Sequence, residues 1–201
     1  FFNQDGSEAE MCGNALKCVI KMLAQETGEV KFLLETKKSL INCEFQEGYS
    51  MINLGKPLSF KQLDEGFFVN LGNPHLVIFL ELQEEEFWQT DFVQRKGLEM
   101  QIKFAETKGV NVSFVLVKDE TTLFVRTFER GVGETLSCGS GSCASFFTSF
   151  KNGLSKGKMK IFNKGSKKVL AFNESYHLLY FENEDLILKG IGTKVARIEY
   201  Y

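Results

Sequence analysis

Two cysteines of the 201-residue chain sit in matching surroundings. Cys12 lies in SEAEMCGNALKC and Cys138 in GVGETLSCGSGSC; each is followed by glycine and preceded at four residues by a glutamate, Glu8 and Glu134. A Cys-Gly pair that opens a helix sets a sulfur beside unpaired backbone N–H groups and the positive end of the macrodipole. Gly13 and Gly139 leave room for a carboxylate to approach those groups. The same field favours thiolate, lowering the pKa from the free value of about 8.5. One such element suits a cysteine nucleophile, a thioredoxin-like site or an anion pocket. Two that face each other suit a narrower chemistry. A carboxylate gripped by both helix starts would leave its α carbon between two sulfurs, one removing the α proton and the other returning a proton from the opposite face. Charge spreading into the carboxylate would be held by the N–H groups, as in an oxyanion site. The scheme calls for no metal and no cofactor. The competing reading makes both cysteines small helix-start residues without chemistry.

The remaining candidates are weaker by themselves. Cys18, Cys43 and Cys143 fall in apolar patterns and read as buried small hydrophobes. Five cysteines is an odd number for a disulfide framework, and neither cluster has the C-x2-C spacing of a structural zinc site. His75 follows Pro74 in a loop between apolar segments, where a plain hydrogen-bonding role competes with a functional one. His177, in ESYHLLYF, reads as an ordinary strand histidine. Glu129 and Arg130 flank the second glycine-rich turn; they suit the ammonium and carboxylate of an amino acid, or else form a solvated pair.

These residues need a scaffold, and the composition supplies one. Apolar residues make up 43% of the chain, with 20 phenylalanines, enough for real cores. The formal charge of -2 offers no cationic field for nucleic acid or anionic lipid, so a small-molecule substrate is expected. No apolar run has membrane-span length and no signal-peptide pattern opens the chain, so a cytoplasmic protein is expected. AEMCGNALKCVIKMLAQ predicts a helix starting near 12–14 and ending at Gly28, with Met11, Ala15, Cys18, Val19 and Met22 on its apolar face. VKFLLET, KSLINCEF and YSMINLG predict strands. The polar stretch 55–66 around Pro57 predicts a crossing between domains. FFVNLGNPHLVIFL is an apolar strand interrupted at 72–74, and EEEFWQTDFVQRKGLEM a surface helix with Phe87, Trp88 and Phe92 inward. VNVSFVLVK and TTLFVRTFERG are alternating strands, GSCASFFTSF a mostly buried helix, and LILKGIGTKVARIEYY a return to the first sheet.

FNQDGSEAEMCGN, NLGNPH, VNVSF and ERGVGETLSCGSGSCA, in that order, resemble the signature segments of the diaminopimelate epimerase family. The likeness extends over nearly the whole chain and is weakest at 81–105 and 150–185. It implies an α/β fold of two pseudo-symmetric domains, each a mainly antiparallel curved sheet around a central helix. The domains would comprise 1–57 with 190–201, and 58–189, with the site in the cleft between them. It further implies a cofactor-independent homodimer that interconverts LL- and meso-2,6-diaminopimelate for lysine and peptidoglycan precursor synthesis. By motif, Cys12 and Cys138 transfer protons, with His75 and Glu129 beside the reacting centre. Gly13, Asn14, Gly139 and Ser140 hold the reacting end, while Asn3, Asn73, Asn111, Glu129 and Arg130 recognise substrate. The resemblance implies no metal. Ala15 and Lys17 stand where the family usually has Gly and Arg, Ser140 where it has Thr, and Gly-Ile-Gly at 190–192 where it has Gly-Pro-Ala. It also leads one to expect about sixty residues ahead of FNQDG, without which the first sheet keeps an open edge. A racemase of another amino acid and a non-catalytic amino acid binding protein are the alternatives.

Overall fold

The computed structural model describes residues 6, 11–37, 39–89, 91–107, 109–167 and 176–192. Helix α1 (Gly13–Thr27) has Cys12 as its extended N-cap. It ends at Gly28, whose left-handed φ of 75° suits a residue without Cβ and whose N–H bonds Ala24 O. Strands β1 (Lys31–Glu35), β2 (Leu40–Gln46) and β3 (Tyr49–Asn53) follow as an antiparallel meander. The buried face of α1 is Gly13, Leu16, Lys17 and Ile20 rather than the stripe expected from periodicity; Cys18 is exposed and Met22 is 49% exposed. Apolar residues occur around most of this helix, so packing on β2 and β3 chose its rotation.

The stretch expected as a crossing, 55–66, contains strand β4 (Ser59–Leu63), which pairs with β5 (Gly66–Asn70) at the edge of the sheet. Its polar character is that of an exposed edge strand as much as of a linker. The apolar run from Phe67 is interrupted because the chain reverses there. Asn70 Oδ1 accepts the Gly72 N–H at 2.9 Å, Gly72 takes φ 102°, and β6 (Pro74–Phe79) returns antiparallel to β5. The expected surface helix is two helices, α2 (Glu84–Gln89) and α3 (Phe92–Lys103), with Asp91 as the N-cap that restarts the chain. Phe87 is fully buried, and Trp88 and Phe92 pack against the same core.

Strands β7 (Asn111–Asp119), β8 (Thr122–Glu129) and β9 (Gly133–Thr135) lead into α4 (Gly139–Lys151), followed by β10 (Lys158–Asn163), β11 (His177–Glu182) and β12 (Asp185–Gly190). One path of pairing runs β1-β2-β3-β12-β11-β10-β8-β7-β6-β5-β4, with β9 on β8. Only β6/β7 and β8/β10 are parallel along that path. The pairing of β12 with β3 brings the chain back to its first strands, as LILKG suggested; 193–201 lie outside the described residues. Strands β7 and β8 are covered on both faces. Val115, Leu123 and Val125 belong to the core around α1 and α4, while Val112, Phe114, Phe124 and Phe128 belong to the core under α2 and α3. Near-continuous apolar runs are what two covered faces require.

Helix α4 is buried along almost its whole length despite five hydroxyl side chains. Ser142, Ser145, Thr148 and Ser149 each donate to the carbonyl four residues earlier, at 2.7–3.0 Å, so none needs water. Small side chains also let strands close around the helix. At Gly141 a Cβ would lie 2.7 Å from Thr127 Oγ1 and 2.9 Å from Ser113 Oγ.

Candidate active site

The two Cys-Gly helix starts meet. A Cβ built on Gly139 would lie 3.4 Å from Gly13 Cα, and one on Gly13 would lie 3.6 Å from Gly139 Cα. Both would lie 3.3 Å from Leu188 Cδ2 of β12, which forms a shared floor. Cys12 and Cys138, each one residue upstream, are both extended N-caps, with φ/ψ of -136°/104° and -125°/114°. The duplicated sequence therefore folds into duplicated backbone, brought face to face by the absence of two β carbons.

The two sulfurs differ in their surroundings. Cys12 is partly exposed, and its side chain makes no cap hydrogen bond. Cys138 is buried; its Sγ accepts the Gly141 N–H at 3.4 Å, lies 3.5 Å from Ser140 Oγ, and donates to Glu129 Oε2 at 3.4 Å. The helix-start contact favours thiolate, as expected, but it does not win. Burial, reinforced by the Glu129 carboxylate, pushes the Cys138 thiol up to about 12. The resting group is a thiol with a carboxylate as acceptor. Thr135 Oγ1 donates to the other Glu129 oxygen at 2.5 Å, aiming that carboxylate.

From β6, His75 Nε2 lies 3.0 Å from Ser140 Oγ, and Asn73 Nδ2 donates to the same oxygen at 3.1 Å. His75 is fully buried, and burial pushes its ring down to about 3, so it is neutral. Its Nδ1 and the Asn73 Oδ1 are buried polar atoms with no hydrogen-bond partner among the described residues. Asn111, opposite His75 across the β6/β7 pair, accepts the Arg130 N–H at 2.9 Å and donates to Pro74 O at 3.4 Å. The exposed Arg130 side chain passes Gly109, where a Cβ would lie 2.8 Å from its Cδ. Asn14 Nδ2 donates to Ser137 O at 2.9 Å, tying the first helix start to the segment that leads into the second.

Glu129 and Ser140 thus contact Cys138, Asn73 and His75 reach it through Ser140, and Asn14 through the Ser137 carbonyl; Gly13 and Gly139 bring the two helix starts together, while Asn111 and Arg130 join at the edge of this network through the Arg130 backbone. Asn3 lies outside the described residues, as does Glu8. Glu134, the other glutamate of the sequence echo, does not serve the thiol. It is buried in a two-point ion pair with Arg126 (2.6 and 3.1 Å) and a third contact to Lys164 (2.6 Å). Sequence reasoning passed over Thr135 and Gly141, although both lie inside the quoted ERGVGETLSCGSGSCA segment.

A family model for diaminopimelate epimerase matches residues 67–180. A diaminopimelate epimerase of Rickettsia felis is 35% identical over 222 aligned positions, which take in 100% of this chain and 75% of that protein. The chain belongs to the diaminopimelate epimerase family. Among solved structures, a PhzF-family phenazine biosynthesis protein of Bacillus anthracis superposes with a TM-score of 0.67 at 10% identity, covering 92% of this chain and 74% of that one. A hydroxyproline epimerase of Agrobacterium vitis gives 0.60 at 12% identity, covering 93% and 64%. This diaminopimelate epimerase family member therefore shares an α/β fold with these two proteins.

Proposed function

We propose that the chain is a cofactor-independent epimerase that interconverts LL- and meso-2,6-diaminopimelate through two-base proton transfer between Cys12 and Cys138. The observation that carries this reading is the contact of Gly13 with Gly139, which sets two cysteine-capped helix starts against each other. In one direction Cys12 takes the α proton, and the Cys138 thiol, held protonated by burial and by Glu129, donates its own to the opposite face. The proton count on the two sulfurs is conserved, and the reverse turnover restores the starting form. Both helix starts turn backbone N–H groups toward the carboxylate as it gains charge.

Asn73 Oδ1 is a buried acceptor suited to an ammonium group, and Ser140, held by Asn73 and His75, orients the reacting end. Asn111 and Arg130 give the site more polar reach than a one-ended amino acid needs, which supports the two-ended substrate. Polar groups left unpaired would discriminate against shorter substrates. In the same reading, 1–57 with 190–201 and 58–189 form two pseudo-symmetric domains around α1 and α4 in a cytoplasmic homodimer serving lysine and peptidoglycan precursor synthesis.

The test is an isomer-resolved assay in deuterated water with LL-diaminopimelate, lysine, glutamate and histidine. Diaminopimelate alone should epimerise with α-deuterium uptake, and Cys12→Ala or Cys138→Ala should each lower the rate by about 1,000-fold or more. Exchange and epimerisation that survive loss of both thiols would refute the two-base mechanism; turnover of another amino acid in preference would refute the substrate.

A further inference from the structure

One turn below the Gly13–Gly139 contact lies a second, wholly buried link between the same two helices. Lys17 of α1 extends its ammonium to within 2.8 Å of Nε2 of His177 on β11. On the far side of the ring, Nδ1 lies 2.9 Å from Ser142 Oγ of α4, and Ser142 Oγ donates to the Cys138 carbonyl at 3.0 Å. Asn163 of β10 braces the junction, its Nδ2 donating to Ser142 Oγ at 3.1 Å. Lys17, His177, Ser142 and Asn163 are 7%, 5%, 0% and 4% exposed, so no part of this chain is a surface coincidence. Since an ammonium only donates, Nε2 accepts, and Nδ1 then carries the hydrogen that points to Ser142.

The surrounding backbone is shaped to admit the lysine. A Cβ on Gly190 would lie 3.1 Å from Lys17 Cδ and 3.4 Å from the His177 ring, and one on Gly192 would lie 3.1 Å from Lys17 O. Ser50 Oγ donates to that same carbonyl at 2.9 Å, and Lys21 Nζ reaches Gly192 O at 2.8 Å. A buried ammonium is costly to hold, and burial lowers Lys17 to about 8. Leu or Met would fill the space at less cost, so the retained charge calls for a role.

Where the two helix starts meet, glycine faces glycine, so no side chain at that point fixes their spacing. We propose that Lys17 and His177 are positioning residues for proton transfer, holding the start of α1 against that of α4 through Ser142 so that Cys12 and Cys138 keep their separation. The link runs from the first turns of α1 to the carbonyl of Cys138 itself. It meets Cys138 at the backbone carbonyl and not at the sulfur, and it rests on the two-thiol reading of the site.

The test is steady-state kinetics on the full chain with LL-diaminopimelate, alongside circular dichroism to confirm folding at the assay temperature. Lys17→Met keeps the stem and loses the donor; kcat should fall about 20-fold or more while KM changes less than about 3-fold, the pattern of misplaced reacting groups with binding intact. Lys17→Arg keeps a donor and should recover most of that loss. Ser142→Ala should lower kcat in the same direction. A folded Lys17→Met variant with kcat within about 2-fold of the parent, a rise in KM alone, or no recovery with Arg would overturn the proposal. If Lys17→Met does not fold, Ser142→Ala decides: unchanged kcat, or a failure to fold here as well, makes the link a folding element and overturns the positioning role. Cys12→Ala in the same series separates the two ideas. Its inactivity beside an unaffected Lys17→Met would sink only the positioning role, whereas an active Cys12→Ala would sink the two-thiol reading.

Discussion

Cys138 illustrates how a residue's neighbours outvote its position. A helix N-cap ordinarily lowers a thiol's pKa, and the Gly141 N–H contact is of that kind. Burial and the Glu129 carboxylate act the other way and prevail, which suits the proton-donating role proposed for it. Removing the charge should reverse part of the effect. Glu129→Gln is expected to bring the Cys138 titration down from about 12, visible as thiolate ultraviolet absorbance at lower pH, while slowing epimerisation. An unchanged titration would mean that burial alone sets it. The five thiols should also separate by reactivity. Cys18 is exposed, whereas Cys43, Cys138 and Cys143 are buried and raised, so brief iodoacetamide treatment at neutral pH should mark Cys18 well before those three in a peptide map. Cys138 labelled as fast as Cys18 would contradict the buried thiol.

At the scale of elements, α4 and its strands are fitted so closely that glycine is a structural requirement. Gly141→Ala would drive a methyl group to within 2.9 Å of the Ser113 and Thr127 hydroxyls, both on strands that are covered on two faces. The helix start has to move, and the Gly141 N–H contact to Cys138 moves with it. Destabilisation of about 1–3 kcal/mol, seen as a lower chemical denaturation midpoint, should accompany a drop in kcat of at least about 10-fold. A variant with parental stability and turnover would show that the strands yield. Lys17 and the glycines Gly190 and Gly192, distant in sequence, are packed against each other.

For the whole molecule, acid sensitivity is governed by what the core holds neutral. The chain has two histidines, and burial depresses both: His75 to about 3, His177 well below its ordinary value. As pH falls below 6.5, the unfolded chain takes up protons at these rings and the folded chain does not, so stability must fall. Each ring contributes a slope of up to about 1.4 kcal/mol per pH unit. Glu134, lowered from 4.5 by Arg126 and Lys164 against the opposing cost of burial, adds stability that is present above that value and lost below it. The melting temperature is therefore expected to decline from about pH 6.5, well before ordinary carboxylates titrate. A Tm that stays level down to about pH 5 would show that the rings reach solvent.

Much of the candidate site was legible in the linear order of residues, because it rests on types and near neighbours: Cys-Gly pairs, Asn and His in a tight reversal, Glu-Arg before a glycine-rich turn. The starts of α1 and α4 and the Gly28 stop were readable for the same reason, since caps are local. The rotation of α1 was not, for its apolar residues circle the helix and only contact with β2 and β3 selects a face. Nor could sequence reveal that Glu134 belongs to Arg126 rather than to the thiol, or that the unremarkable His177 joins Lys17 to Ser142 across 160 and 35 residues. Residue identity by itself determined which groups could move a proton. Only the tertiary structure decided their protonation, their partners and their spacing, because burial, field and contact depend on what the rest of the chain brings alongside.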